Sequence, residues 1–326
     1  MVSFLPRPPL HPDLAEVHSQ LPQNDNISTP EQIATRRKFL DFSLEQTLQG
    51  REHLISHEEK EFQGPAGTLK ASIFRPKQVN KSLLEKPGYK TPGILHMHGG
   101  GHMSGSRFVG IEGVLDWVEE FGAIIVSAEY RLAPEHPQPA QLEDSYAALL
   151  WMNDNAQELG YSRDHLIVCG SSAGGNLAAG VVLLARDRAG PKIRGQLLMY
   201  PWLDDSNETH SMLQFGDIVP WTRSNSVDAC NYALGVNREH VTMYTVPSRA
   251  KDLGGLPPTW IDVGDTDVFR DEDVNYASAL WKAGVSTELH VWPGCWHGFD
   301  VFVPNAPISR RAKLARSDWV RSLIFA

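Results

Sequence analysis

Basic residues are outnumbered in this chain, 30 Lys and Arg against 39 Asp and Glu, for a formal net charge of −9. Phosphate recognition draws on clustered Lys and Arg, and no such cluster is present, so nucleic acid is excluded as a partner. Cysteine is scarce as well. Cys169, Cys230 and Cys295 are odd in number, far apart and without CxxC spacing, which argues against a disulfide framework or a zinc knot and for reduced thiols. No apolar run approaches the roughly 20 residues of a membrane span, and prolines in MVSFLPRPPLHPD stand where a signal peptide would carry its apolar region. Internal repeats and low-complexity tracts are absent too. What remains is a 326-residue chain, 41% hydrophobic, with ample apolar residues for a large core. It is expected to be cytoplasmic and to act on a small or apolar molecule.

Residues 1 to about 55 contain two helix-like segments, Leu10 to Leu21 and Pro30 to Leu48, separated by the loop-like NDNISTP. EKEFQ and LKASIFRP then read as two strands joined at GPAG. From GILHMH to GQLLMYP strand-like and helix-like stretches alternate, which predicts a mainly parallel sheet with helices on both faces. The alternation stops from Trp202 to about Leu253 and resumes with TWIDVG, a helix, STELHVW and a last helix from about Ala306. The pattern predicts an α/β core at 56–201 and 254–326, and a discontinuous helical cap made of 1–55 and 202–253.

The sharpest local signal is CGSSAGGNLAA, in which a strand runs into a GxSxG turn and then into an alanine-rich helix. Such a turn holds its serine in a strained conformation above the sheet, and small flanking residues make room for it. Only Ser172 occupies the serine position; Gly170 and Gly174 flank it. The stretch lacks the Lys of a phosphate loop and the spacing of a dinucleotide fingerprint. A serine hydroxyl needs a base to take its proton and a carboxylate to orient that base. His297, in PGCWHGF, is the only histidine after the last strand, and is the expected base. His290 lies within the strand and is expected to be structural. For the carboxylate, Asp262 lies inside its strand, and Asp271, Glu272 and Asp273 begin a helix, where acids commonly serve as caps. Asp265 and Asp267 both remain.

HMHGGGHMSG, residues 96–105, invites a metal-site reading through His96, His98 and His102. The glycines point elsewhere. Acyl transfer develops charge on a carbonyl oxygen, and the amides of Gly100 and Gly101, with that of Ala173 after the serine, can stabilise it without a metal or cofactor. On this reading His96 packs from the strand, His98 braces the loop, and His102 shapes the site entrance.

HGGG at 98–101, SAEYRLAPEHPQPA at 127–140, Gly170 with SSAGGNLA at 171–178, YPWLD at 200–204 and HGF at 297–299 together resemble the hormone-sensitive-lipase-like family of α/β-hydrolase esterases. The resemblance implies an α/β-hydrolase fold, a mostly parallel eight-stranded sheet flanked by helices with a helical cap. It also implies a serine carboxylesterase acting on short- to medium-chain or specialised esters through an acyl-enzyme. The family usually has GxxDPLRDE after its seventh core strand. Here GDTDVFRDE keeps the frame, which selects Asp267 as the acid, with Val268 and Phe269 in place of Pro-Leu. Arg131, Glu135 and Glu143 become structural ion pairs. His102, Trp202, Phe215, Trp221, Cys295 and Trp296, in or beside the cap and the histidine loop, are candidate pocket walls. Two further readings of the same machinery are an amidase, deacetylase or lactonase of a specialised metabolite, and a catalytically silent receptor-like hydrolase. The edge of the last strand, STELHVW, is where a second copy would pair into a homodimer.

Overall fold

A computed structural model describes residues 5–23 and 26–325, so residues 1–4, part of the expected cap and of the proline-rich start, Asn24 and Asp25 of the expected loop, and the final Ala326 lie outside it. Eight strands form one sheet: β1 Ile55–Gly64, β2 Gly67–Pro76, β3 Gly93–Met97, β4 Ile124–Ala128, β5 Leu166–Ser171, β6 Gly195–Met199, β7 Thr259–Gly264 and β8 Thr287–Trp292. Their order is β1-β2-β4-β3-β5-β6-β7-β8. The β1–β2 hairpin joins β4 antiparallel, and every later pairing is parallel. All eight predicted strands are present.

The apolar runs of the parallel strands serve two cores at once, because successive side chains point to opposite faces. Leu95, Val126, Val168, Leu198 and Ile261 enter one core. Their neighbours Ile94, Ile125, Ile167, Leu197 and Trp260 enter the other. The first core is covered by α6 Ala140–Asp154, the short α7 Ala156–Leu159, α8 Ala173–Asp187 and α11 Arg270–Lys282. The second is covered by α5 Glu112–Phe121 and α13 Pro307–Ile324. The expected single helix LEDSYAALLWMNDNAQEL breaks at Asn155, whose side chain donates to Trp151 O (2.8 Å) and competes with the helical ladder.

The N-terminal segment holds α1 Pro12–Gln20, α2 Pro30–Phe39 and α3 Leu44–Leu48; a one-turn helix, α4 Lys81–Leu84, follows β2. The segment expected as one helix from Pro30 to Leu48 is thus two. Leu40 ends α2, and Ser43 begins α3 through a capping box with Gln46. The second segment contributes α9 His210–Gln214 and α10 Arg223–Leu234, and α12 Phe299–Phe302 lies in the histidine loop. The two segments expected to form the cap share one apolar cluster that includes Ile27, Ile33, Met212, Phe215, Trp221 and Cys230. Polar ties join them too: Arg7 with Asp217 (2.5 Å), His18 with Val219 O (3.0 Å) and Ser28 with Asp228 (2.6 Å). Arg37 fastens α2 to the core by donating to Met103 O, Ala133 O and both oxygens of Glu135.

The acids at the start of α11 do more than cap their own helix. Asp271 accepts from Ser211 N (2.7 Å), and Glu272 accepts from Leu203 N (2.6 Å) and Asp204 N (3.2 Å). Asp273 is fully buried, and neither carboxyl oxygen has a hydrogen-bond partner among the described residues. Burial, reinforced by Glu272, Asp267 and Asp262 nearby, raises its carboxyl well above the ordinary range. Below the unfolded pKa both states hold the proton. As pH rises past it only the unfolded chain releases it, so this residue removes stability until the folded pKa is reached. Asp273→Ala should therefore stabilise the fold by about 1–3 kcal/mol near neutral pH, and by much less near pH 4. Chemical denaturation at both pH values measures the difference.

Candidate active site

The strand β5 ends at Ser171 and α8 begins at Ala173, leaving Ser172 alone in the turn at φ 55°, ψ −120°. A side chain rarely adopts that region, and here the surroundings hold it: Ser172 N donates to Met199 O (2.9 Å), while Ser172 O accepts from Trp202 N and Asn176 N (both 3.1 Å). The turn also needs close backbone approach. A Cβ on Gly174 would overlap the carbonyls of Met97 and His98 at the end of β3.

His297 arrives from the loop after β8, and Asp267 from the loop after β7. His297 Nε2 lies 2.9 Å from Ser172 Oγ, and His297 Nδ1 lies 2.8 Å from Asp267 Oδ2. All three groups are nine-tenths buried or more. The carboxylate orients the ring with Nδ1 protonated, leaving Nε2 to accept from the serine hydroxyl. Asp267 Oδ1 is itself occupied, accepting from Phe269 N (3.0 Å). Asp265, the other candidate, points away: its Oδ1 accepts from Gly294 N (2.6 Å) and ties the two loops together.

The glycine run packs against the same turn: a Cβ on Gly99 would meet Ser171 O at 3.2 Å and Ser172 Cβ at 3.5 Å. Gly100, Gly101 and Ser172 line one cavity of about 270 Å³. Gly101 has φ 65°, and a Cβ there would run into the Trp221 indole. The three histidines around the glycines have separate packing roles. His96 Nδ1 meets Ser127 Oγ (3.0 Å). His98 Nδ1 donates to Gly99 O (2.7 Å), and its ring stacks on Tyr130 at 4.1 Å. His102 is fully buried, edge-on to Trp202 at 5.0 Å, and so lies inside the wall and not at an entrance. Burial lowers the pKa of each, to about 3 for His96 and His102, which keeps the rings neutral. No three His, Cys, Asp or Glu side chains gather at metal-binding distance among the described residues.

Of the expected pocket walls, Trp221 borders the main cavity, and Trp202 with Trp221 borders a small niche that Gly101, Ser172 and Ala173 also line. The other four candidates do not line either space. Phe215 packs in the apolar cluster with Met212 and Trp221, under the Arg270 guanidinium (5.2 Å). Cys295 is buried with its carbonyl held by Thr266, and Trp296 is buried among Leu14, Phe299 and Ile308, gluing α1 to the histidine loop. Each is too far inside a core cluster to face a ligand. The sequence reading missed Arg36, Phe39, Leu40 and Phe42 from the N-terminal segment, Val109 and Tyr200, and Val301 and Phe302 from the histidine loop, all on the cavity wall. It also missed Phe269, whose ring stands edge-on to His297 at 5.0 Å. The signal for that one was visible, since Phe269 is where the chain departs from the usual Pro-Leu. The ion pairs expected of the YRLAPE region are present: Arg131 with Asp144 (2.7 Å), Glu135 with Arg37 (2.7 Å) and Glu143 with Arg188 (2.7 Å).

Comparison with known proteins places this geometry among others. A family profile described as the alpha/beta hydrolase fold matches residues 94–301. The chain is 38% identical over 225 residues to carboxylesterase NlhH of Mycobacterium tuberculosis, covering 68% of this chain and 70% of that one. It is 32% identical over 251 residues to esterase LipI of the same organism, covering 76% of each. Among solved structures, a bacterial heroin esterase superposes with a TM-score of 0.86 at 35% identity, over 97% of this chain and 98% of the other.

Proposed function

We propose, from the fact that this chain belongs to the α/β-hydrolase family in its hormone-sensitive-lipase-like branch, that it is a carboxylic ester hydrolase whose nucleophile is Ser172. The observation that carries the reading is the continuous hydrogen-bond line from Ser172 Oγ through His297 to Asp267. Ser172 Oγ attacks the ester carbonyl carbon while its proton passes to His297 Nε2. The resulting oxyanion is held by the amides of Gly100, Gly101 and Ala173. The carbon–oxygen bond to the alcohol breaks, and the alcohol leaves with the proton from His297. Water then attacks the acyl-enzyme, gives a proton to His297, and releases the carboxylic acid; the proton returns to Ser172. Asp267 holds the ring in place and stabilises the imidazolium.

Residues 1–55 and 202–253 act, on this reading, as a substrate cap on a core of 56–201 and 254–326. The support is that Arg36, Phe39, Leu40, Phe42, Pro220 and Trp221 all border the catalytic cavity. The substrate is a small carboxylic ester with an apolar body. The outer edge of β8 has a neighbour on one side only and is where we place a homodimer contact; sedimentation that reads a monomer at all concentrations rejects it.

The test is covalent. A fluorophosphonate probe should label the protein at Ser172, and p-nitrophenyl esters should be hydrolysed; a folded protein that neither labels nor turns over any ester is the outcome expected of a silent receptor. Gly101→Ala probes the oxyanion assignment. The new methyl group meets Trp221 and is strained at positive φ, so the amide is displaced, and kcat should fall by about 10²–10³ with the circular dichroism spectrum unchanged.

A further inference from the structure

A second cavity, of about 220 Å³, lies next to the catalytic one, and Phe42, Gly110, Tyr200 and Val301 border both. The reaction uses none of its other walls. Its charged lining comes from Arg51, from Glu112 at the start of α5, from Asp300 of α12 and from Lys313 and Arg316 of α13. Charges withdrawn from water are costly without partners, so the partners already taken decide what the cavity can hold.

Two of the three cations are committed. Arg316 donates to Asp262 and to Asp300 Oδ2, and Arg51 pairs with Asp116 (2.7 Å) and donates to the carbonyl oxygen of Glu112 (3.3 Å). The acids keep acceptors to spare. Asp300 Oδ1 is buried and has no hydrogen-bond partner among the described residues. Lys313 and Arg51 both act on the Glu112 carboxyl, yet neither forms an ion pair with it, and burial with Asp300 nearby raises that carboxyl above its ordinary value. Two acids with free acceptors therefore border one space, against the single ammonium of Lys313. The remaining walls include Phe42, Val114, Trp117, Met199 and Val301, which are apolar.

From this imbalance we propose that the second cavity is a binding site for an amphipathic amine, whose ammonium group sits between Asp300 Oδ1 and the Glu112 carboxylate while its apolar body lies along Phe42, Val114, Trp117 and Val301. An ammonium brings three donors and a charge, enough to serve both acids. An anionic ligand would meet Lys313 alone against two carboxylates. A neutral alcohol brings one donor and no charge to offset theirs. Asp300 follows His297 by three residues, so an occupant adds a tie to the loop that carries the histidine. The site is independent of the nucleophile assignment, because Ser172, His297 and Asp267 do not touch it.

Calorimetric titration near neutral pH with benzylamine, benzyl alcohol and benzoate tests the proposal without any measure of hydrolysis. Benzylamine should bind the unaltered protein at least about tenfold more tightly than either of the others. Glu112→Gln should weaken benzylamine by about tenfold or more, and Lys313→Met, which removes a like charge, should tighten it by about two- to fivefold. Gly113→Leu should abolish binding by filling the cavity. A Cβ at Gly113 meets only Lys313 Cε, at 3.8 Å, so that variant keeps its fold, which circular dichroism checks. Benzyl alcohol or benzoate binding as tightly as benzylamine overturns the proposal, as does no binding of any of the three. So does a Lys313→Met variant that binds benzylamine more weakly, or amine binding that survives in Gly113→Leu, which would put the amine in the catalytic cavity. None of these results bears on Ser172, whose labelling by a fluorophosphonate is read separately.

Discussion

Asp267→Asn should lower kcat on p-nitrophenyl acetate by about 10⁴, while Asp265→Asn leaves it close to the starting value. The two acids are two residues apart, yet their surroundings predict opposite results. In the unaltered protein Asp267 Oδ1 accepts from Phe269 N and Oδ2 accepts from His297 Nδ1. An asparagine keeps its carbonyl oxygen on the Phe269 amide and so turns its NH₂ toward the histidine. Nδ1 must then accept, the proton moves to Nε2, and a protonated Nε2 cannot take the proton of Ser172. Asp265 does something else: its Oδ1 accepts from Gly294 N. Asparagine can accept that bond equally well, so the loop is preserved. Ser172→Ala, measured beside them, should fall by about 10⁶. If the two aspartates exchange effects, Asp265 is the orienting acid and the assignment of Asp267 is wrong.

The same two residues show where the sequence was legible. The strand–turn–helix around Ser172 has a local cause, since a tight turn with close backbone approach needs small residues at fixed positions. The strands were legible because alternating apolar residues must enter two cores. Residues 265 and 267 were equally spaced candidates until the resemblance chose between them, because spacing alone does not say which oxygen meets a backbone amide and which meets a ring. The cavity walls were less legible still. Phe42 reaches the cavity because the polypeptide leaves α2 at Leu40 and restarts at Ser43, whereas the periodicity of residues 30–48 reads as one continuous helix. Conversely, Phe215, Cys295 and Trp296 stand beside the site in sequence but turn into two apolar clusters, since a large apolar side chain is as well accommodated by a core as by a pocket. Proximity along the chain carries no information about which way such a residue turns.

Arg316→Met should destabilise the fold by about 3–5 kcal/mol near neutral pH, because it leaves two buried carboxylates without their counter-charge. Arg316 lies on α13 and donates through Nε (3.0 Å) and an η nitrogen (2.6 Å) to Asp262 Oδ2 in β7, and it also pairs with Asp300 in α12. All three side chains are buried. Trp292 Nε1 adds a bond to Asp262 (2.9 Å). Asp300 follows His297 by three residues, so the arginine anchors the loop that carries the histidine to the ends of the sheet. Tyr200 stands between them, its ring 5.9 Å from the guanidinium and 5.1 Å from the imidazole. Burial alone would raise the Asp300 carboxyl, but the charge and hydrogen bond of Arg316 outweigh it and hold the group below its ordinary value. A depressed carboxylate contributes stability above the unfolded pKa and loses it as pH falls through the folded one. Once Arg316 is gone, burial dominates and the sign reverses, so the variant is penalised most at neutral and alkaline pH and least near pH 4. Thermal unfolding should register a fall of about 6–15 °C at pH 7, and a smaller one in acid. Replacing Asp262 and Asp300 by Asn in the same variant should recover much of the loss, because the cost comes from the unpaired charges. A single variant that unfolds with the same penalty at pH 4 and pH 7 would mean that the guanidinium acts through packing on Tyr200 and not through its charge.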